Sequence, residues 1–189
     1  MLLFRWLLVI LLTAMPLAQG NTRPNETKQP TEYEVKAAFL FNFAKFVDWP
    51  LSALTSTDSV LIIGVLAPDD VVEVFEQVIG QKIVKNRRIV IRQYYWYRDI
   101  DFCHILFVGN NEYRRLHRIF NYIENKPILT VGDQIDGFAQ SGGIINFVLK
   151  DNLVNFEINP DNAKRLDIQI SSKLLRLATI VGDTKEASQ

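Results

Sequence analysis

Three groups of side chains in this sequence have the chemistry to act on a small molecule, and each is weak. The carboxylates Asp69, Asp70 and Asp133 fall just after predicted strands, where general acid or base work would need a pKa moved toward neutrality, and no spacing here assigns such a shift. Capping helices and turns is their default role. Cys103 and His104 are neighbours on a predicted strand and so point to opposite faces, while His117 stands on a helix among Arg114, Arg115 and Arg118. They do not converge on a metal, and Cys103 reads as a small buried residue, not a reactive thiol. Ser141, Gly142 and Gly143 precede a strand, whereas a hydrolase serine sits on an elbow between strand and helix, so these residues read as a tight turn. After the first strand the chain runs Gly64, Val65, Leu66, Ala67, Pro68, Asp69. That lacks the glycine fingerprint which lets a backbone approach a pyrophosphate, and no Walker loop follows elsewhere. No cofactor is expected.

Two further groups suit contact better than catalysis. In the run Tyr94, Tyr95, Trp96, Tyr97, half should be core by alternation, and the other half is available to a ligand or partner. Arg114, Arg115 and Arg118 read as a solvated helix face.

The elements that must position these residues follow from periodicity. Thr31 with Glu34 has capping-box spacing, and Val35, Phe39, Asn42, Phe43 and Phe46 follow a helical period until Trp49 and Pro50. Leu40, Phe41 and Val47 lie off that stripe, so the helix should touch two things, one of them another subunit or simply a covering loop. Val60–Leu66 reads as a strand covered on both faces, then Pro68 and Asp69 open a helix with Val71, Val74, Phe75 and Val78, closed by Gly80. Further strands are expected at Arg88–Tyr95, Cys103–Val108 and Ile128–Val131, with a helix over Glu112–Ile123. Ile144–Leu149 and Leu153–Ile158 flank Lys150, Asp151 and Asn152 as an antiparallel hairpin. Asn159 and Pro160 start a short helix. The last helix is expected to carry Leu174, Leu177, Ala178 and Val181. The fold class is therefore α/β, a mostly parallel sheet flanked by helices with a C-terminal antiparallel hairpin.

Composition agrees with one globular domain over residues 31–182. Of 189 residues 48% are apolar, enough for a core, and 21 basic residues balance 21 acidic ones. A neutral chain lacks the Lys and Arg excess that drives nucleic-acid binding, so no nucleic-acid partner is expected. One cysteine closes no internal disulfide, and two histidines are too few for most metal cages. Residues 1–20 have the layout of a signal peptide: Arg5, an apolar stretch from Trp6 to Leu12, Pro16, and small residues Ala18 and Gly20 before Asn21. That stretch falls short of the roughly 20 residues a spanning helix needs, so cleavage, export and no membrane insertion afterwards are expected. Residues 21–30 read as a flexible lead and 183–189 as a disordered tail. The sequon Asn25, Glu26, Thr27 carries no weight without a eukaryotic secretory route.

Several stretches together resemble the YfiR/HmsC-like family of exported bacterial proteins. The run from Ala38 to Pro50, through Asn42, Phe43, Ala44, Lys45 and Phe46, is similar to the family's opening signature. Cys103–Val108, Leu129–Asp133, Gly137–Phe138, Gly142–Phe147, Phe156–Asn159 and Ser171–Ala178 continue it in order over Glu32–Val181. The resemblance implies a non-catalytic α/β domain, a homodimer, in the periplasm. It further implies a partner, the periplasmic sensor region of a membrane diguanylate cyclase, held inactive so that cyclic di-GMP and biofilm stay low. Disulfide-bearing members have paired cysteines, and here Cys103 stands alone, so redox control is not implied.

On this reading Phe39, Phe41, Phe46, Leu174 and Leu175 are the candidate partner or dimer contacts, although core packing would also explain them. A second hypothesis is a small-ligand binding module, because ligands of open α/β sheets sit beyond the strands' carboxyl ends. Ala67, Asp69, Gly109, Asn110 and Asp133 fall there. A cryptic hydrolase is the third and weakest.

Overall fold

The computed structural model describes residues 29–54 and 59–182. The expected signal peptide, the sequon, most of the flexible lead and the tail lie outside the described residues.

In chain order the first half comprises α1 (Glu32–Phe46), β1 (Val47–Asp48), β2 (Val60–Leu66), α2 (Asp69–Ile79), β3 (Ile83–Val84), β4 (Arg87–Gln93) and β5 (Ile105–Val108). The second half comprises α3 (Leu116–Tyr122), β6 (Leu129–Asp133), β7 (Ile145–Lys150), β8 (Leu153–Ile158), α4 (Pro160–Arg165), β9 (Gln169–Ile170), α5 (Ser172–Leu175) and β10 (Thr179–Ile180). The main sheet runs β10-β8-β7-β6-β5-β2-β4-β3, and β1 pairs separately with β9. Strands β4, β2, β5, β6 and β7 are mutually parallel, while β7 and β8 form the expected antiparallel hairpin. Asp151 and Asn152 turn that hairpin with φ of 52° and 59°, the left-handed pair that matches strand twist in a two-residue loop. The α/β class with a mostly parallel sheet is therefore what the chain adopts.

From β2 the crossover through α2 leads to β4 on one side, and from β5 the crossover through α3 leads to β6 on the other. The sheet thus has a topological switch point between β2 and β5, the place where open α/β folds offer a crevice. Apolar side chains fill both faces. On one, α1 and α2 pack Leu40, Phe43 and Phe75 onto Ile63, Phe107, Val131 and Phe147. On the other, Ile119 and Ile123 with Tyr94, Ile100 and Phe138 cover Leu66, Leu106 and Val108. Such two-sided burial explains the near-continuous apolar runs of β2 and β5.

Several details depart from the periodicity. The inward face of α1 is Lys36, Ala37, Leu40, Phe43 and Ala44, rotated from the expected stripe, because a lysine counted as polar is in fact buried. The segment 112–123 is not one helix: a 3-10 stretch over Asn110–Arg115 precedes α3. Glu112 and Arg115 meet at i, i+3 through a 3.0 Å ion pair, the spacing that 3-10 geometry eclipses. The helix expected through Leu177 and Val181 ends at Leu175. Thr179 and Ile180 instead add a parallel strand to β8, since β-branched residues beside an open sheet edge gain more from pairing than from a lone helical turn. The short strands β1, β3 and β9 are below what periodicity detects.

Gly132 shows how tightly the sheet's carboxyl end is packed. A Cβ there would lie 2.6 Å from the Phe138 ring and 2.8 Å from Asn146 Oδ1, and Asn146 exchanges two hydrogen bonds with the backbone of Ile135. We predict that Gly132→Ala destabilises by about 1–3 kcal/mol through overpacking. At about 2–4 °C per kcal/mol for a chain of this size, calorimetry should read a clear fall in Tm. Gly182→Ala, whose Cβ meets nothing within 4 Å, should leave Tm unchanged.

Candidate functional site

The five ligand-binding candidates lie along the carboxyl ends of β2, β5 and β6 and the residues just after them, as expected, but the structure engages most of their polar groups internally. At the switch point Gly109 donates its N–H to Leu66 O at 2.9 Å. A Cβ on Gly109 would stand 3.0 Å from that of Ala67, so β2 and β5 close on each other where a crevice would open. Asn110 directs its amide to the carbonyls of Asp133 and Gln134 at 3.3 and 2.7 Å. Asp69 accepts from Gln93 Nε2 at 2.6 Å, and Gln93 in turn accepts from the Tyr95 hydroxyl at 3.0 Å. A shallow cavity of about 280 Å³ borders this edge, but of the five it takes in only Asn110, beside Tyr113, Leu116, Gln134, Ile135 and Asp136.

Asp133 is the most constrained of the five. Lys36, wholly buried in α1, donates from Nζ to Asp133 Oδ1 and to Glu32 Oε1. Tyr33 donates its hydroxyl to Asp133 Oδ2 at 3.1 Å. Gln134 Nε2 completes the group by donating to Glu32 Oε1 at 2.6 Å, and the ammonium lies 4.8 Å from the Tyr33 ring centre. A buried ammonium is tolerated only when paired and hydrogen-bonded, and here two carboxylates and an aromatic face do so. Burial first, and then Asp133, pushes the Tyr33 hydroxyl well above its ordinary value, so it stays a donor. These residues escaped sequence reasoning because Glu32 and Lys36 at i, i+4 look like an exposed helix pair; a lysine amid Ala37, Leu40 and Phe43 was the available signal.

The remaining chemical candidates sit apart from this edge. Cys103 is buried under β2, with Sγ 3.0 Å from the position of a Cβ on Gly64. Burial pushes its thiol from 9.0 up to about 12, so it is neutral and inert at ordinary pH. His104 accepts from Ile62 N at Nδ1, 3.0 Å, which fixes the hydrogen on Nε2. Asp101 takes Arg92 at 2.9 Å and the Tyr94 hydroxyl at 2.8 Å, and the Phe102 N–H chiefly holds its carboxyl below the usual range. Among the described residues no group of three or more His, Cys, Asp or Glu is placed to hold a metal. No helix among them is long and apolar enough to cross a membrane.

The five contact candidates also receive definite places. Phe39 packs on Phe43, Phe147 and Phe156 at 5.3–6.1 Å between ring centres. Phe41 and Phe46 are half-buried under Lys45 and Lys82. Leu174 is buried within the chain and Leu175 half-buried against the core. Of the aromatic run, Tyr94 and Tyr97 are buried whereas Tyr95 and Trp96 are exposed.

Comparison with known proteins places this geometry. The YfiR/HmsC-like family model matches residues 33–179. No curated protein gives a significant match. A conserved domain protein from Vibrio cholerae superposes with a TM-score of 0.54 at 11% identity, over 79% of this chain and 60% of that one. The ABC domain from Streptococcus pneumonia, solved in complex with L-Trp, gives 0.51 at 14% identity, over 69% and 58%. The chain thus spans about three fifths of each, and at these identities the likeness is one of fold.

Two predictions follow from the buried groups. Lys36→Met should cost about 3–5 kcal/mol by leaving Asp133 buried without its cation, and Lys36→Met with Asp133→Leu should recover most of it, read by urea denaturation. For Cys103 the folded pKa lies above the unfolded one, so its contribution is intact below pH 9 and lost as pH rises toward 12. Stability from pH 9 upward should fall by about 1.4 kcal/mol per pH unit more in wild type than in Cys103→Ala.

Proposed function

The chain belongs to the YfiR/HmsC-like family, and from that premise we propose that it is an exported, non-catalytic regulator acting in the periplasm. Its partner is the periplasmic sensor region of a membrane diguanylate cyclase, which it represses, lowering cyclic di-GMP and biofilm formation. The observation that carries this reading is the carboxyl edge of the sheet. Its polar groups, above all Asp133, are bound to Lys36, Tyr33 and backbone partners, which supports a role exercised through surface contact. Such repression needs no chemistry, only tighter binding to the inactive cyclase than to the active one. Moving a cyclase from mostly active to mostly inactive requires a differential of about 10⁴ in affinity, some 5.5 kcal/mol, which an ordinary protein interface supplies. The half-buried Phe39, Phe41, Phe46 and Leu175 are proposed for subunit or partner contact, with Leu174 supporting them from beneath.

A second reading, a periplasmic small-ligand module without a cyclase partner, draws on one cavity and one likeness. A cleft of about 320 Å³ opens between α3 and α4, with Phe120, Thr130, Asn162 and Arg165 in its wall, and the similar Streptococcus domain was solved with L-Trp.

The deciding measurement is intracellular cyclic di-GMP in a strain lacking the gene, complemented by the full-length gene or by one without Met1–Gly20. We expect a rise on deletion that only the full-length form reverses. No change while the protein is demonstrably expressed would overturn repression. In that case a saturable rise in Tm with amino acids or nucleotides would support the ligand-binding reading.

A further inference from the structure

The tertiary fold joins two features that are separate in the sequence, the exposed half of the aromatic run and the arginines after β5. Trp96 is 39% and Tyr95 73% exposed, and Tyr113 is 51% exposed on the 3-10 stretch before α3. Arg115 lies 5.0 Å over the Trp96 ring and Arg114 5.3 Å over that of Tyr113. The platform is anchored from below. Buried Tyr97 packs edge-on to Tyr122 of α3 at 5.8 Å, and the Tyr122 hydroxyl donates to Arg98 O at 2.8 Å. Arg114, Arg115 and Arg118, with Asn111 and Tyr113, surround an open depression of about 480 Å³.

Arginines cluster on this surface. The chain is neutral overall, yet of these arginines only Arg115 has a carboxylate, Glu112 at 3.0 Å. Among the described residues Arg98, Arg114 and Arg118 make no ion pair. Arg115 is engaged by Glu112, and Arg114 is held on its ring by Nε, which donates to the Tyr113 hydroxyl at 2.6 Å. The terminal nitrogens of Arg114 and the guanidinium of Arg118 are left to face a carboxylate, and Arg, Tyr and Trp are the side chains that dominate interface energetics. The exposed apolar surface of the segments 94–99 and 110–126 is Tyr and Trp, with no exposed Leu, Ile or Phe, and the depression is walled by Asn, Tyr and Arg side chains.

We infer that the surface formed by Trp96, Tyr113, Arg114 and Arg118 is a docking site for an acidic, aromatic-bearing protein segment of the partner. This rests on the contact-based function proposed above, assigns partner docking to this surface and leaves Phe39, Phe41, Phe46 and Leu175 to contact between subunits.

The test uses the purified chain and a fluorescein-labelled peptide of alternating Glu and Tyr, followed by anisotropy at low and moderate salt. Wild type should bind. Arg114→Glu with Arg118→Glu should weaken binding by about tenfold or more with unchanged circular dichroism and Tm. Lys164→Glu with Lys173→Glu, the same charge change at exposed positions on α4 and α5, should bind as wild type does. Absence of binding by wild type, equal loss in the lysine control, or tighter arginine-dependent binding to phosphatidylglycerol vesicles would overturn the inference. The strain that reports cyclic di-GMP separates the two levels. If deletion raises cyclic di-GMP but the arginine double variant represses fully, the surface is wrong and the regulator stands. If deletion changes nothing, the regulator reading fails and the peptide result alone judges the surface.

Discussion

The ammonium of Lys36 is the constraint around which this fold is organised. A charge wholly removed from water must meet opposite charge and hydrogen-bond acceptors, or the folded state loses several kcal/mol. Here the acceptors come from the end of β6 and the first turn of α1, so satisfying the lysine fixes the long first helix against the carboxyl end of the sheet. Tyr33 and Gln134 tie the same two elements. With α1 held there, Phe43 stacks on Phe147 at 5.7 Å and meets Phe156 edge-on at 5.2 Å, coupling the helix to the hairpin that closes the domain.

This arrangement has a functional corollary. In open α/β folds the carboxyl edge is where ligands usually gather, since the diverging crossovers leave a crevice there. In this protein the edge is occupied by its own ion pair, and Gly109 against Ala67 shuts the switch point. The neighbouring surface beyond β4 and β5 presents the reverse condition: Arg114 and Arg118 make no ion pair among the described residues, beside exposed rings held by buried Tyr97. A protein that regulates by binding needs a rigid, charged and aromatic surface more than a pocket, and the sheet supplies the rigidity beneath it.

The strands β2 and β5, the hairpin turn at Asp151 and Asn152, and the caps at Thr31 and Asn159 were legible because each depends on local chemistry. Continuous apolar runs require cover on both faces, and capping side chains need only their own helix. The phase of α1 was not legible, because its inward face includes a lysine whose partner lies 97 residues away. Nor was the end of the chain, where Thr179 and Ile180 choose between a helical turn and a sheet edge that exists only once β8 is in place.

The sequence by itself determined the class of fold, the order of its main strands and longer helices, and the family, since periodicity, capping and motif order are properties of neighbouring residues. It also placed Asp133, Asn110 and Gly109 at one edge of the sheet. Only the tertiary structure decided that this edge is closed by Lys36 and that Trp96 and Arg115 share a surface. Those outcomes depend on which distant groups satisfy a buried charge and which remain in water, and such pairings do not exist until the chain has folded.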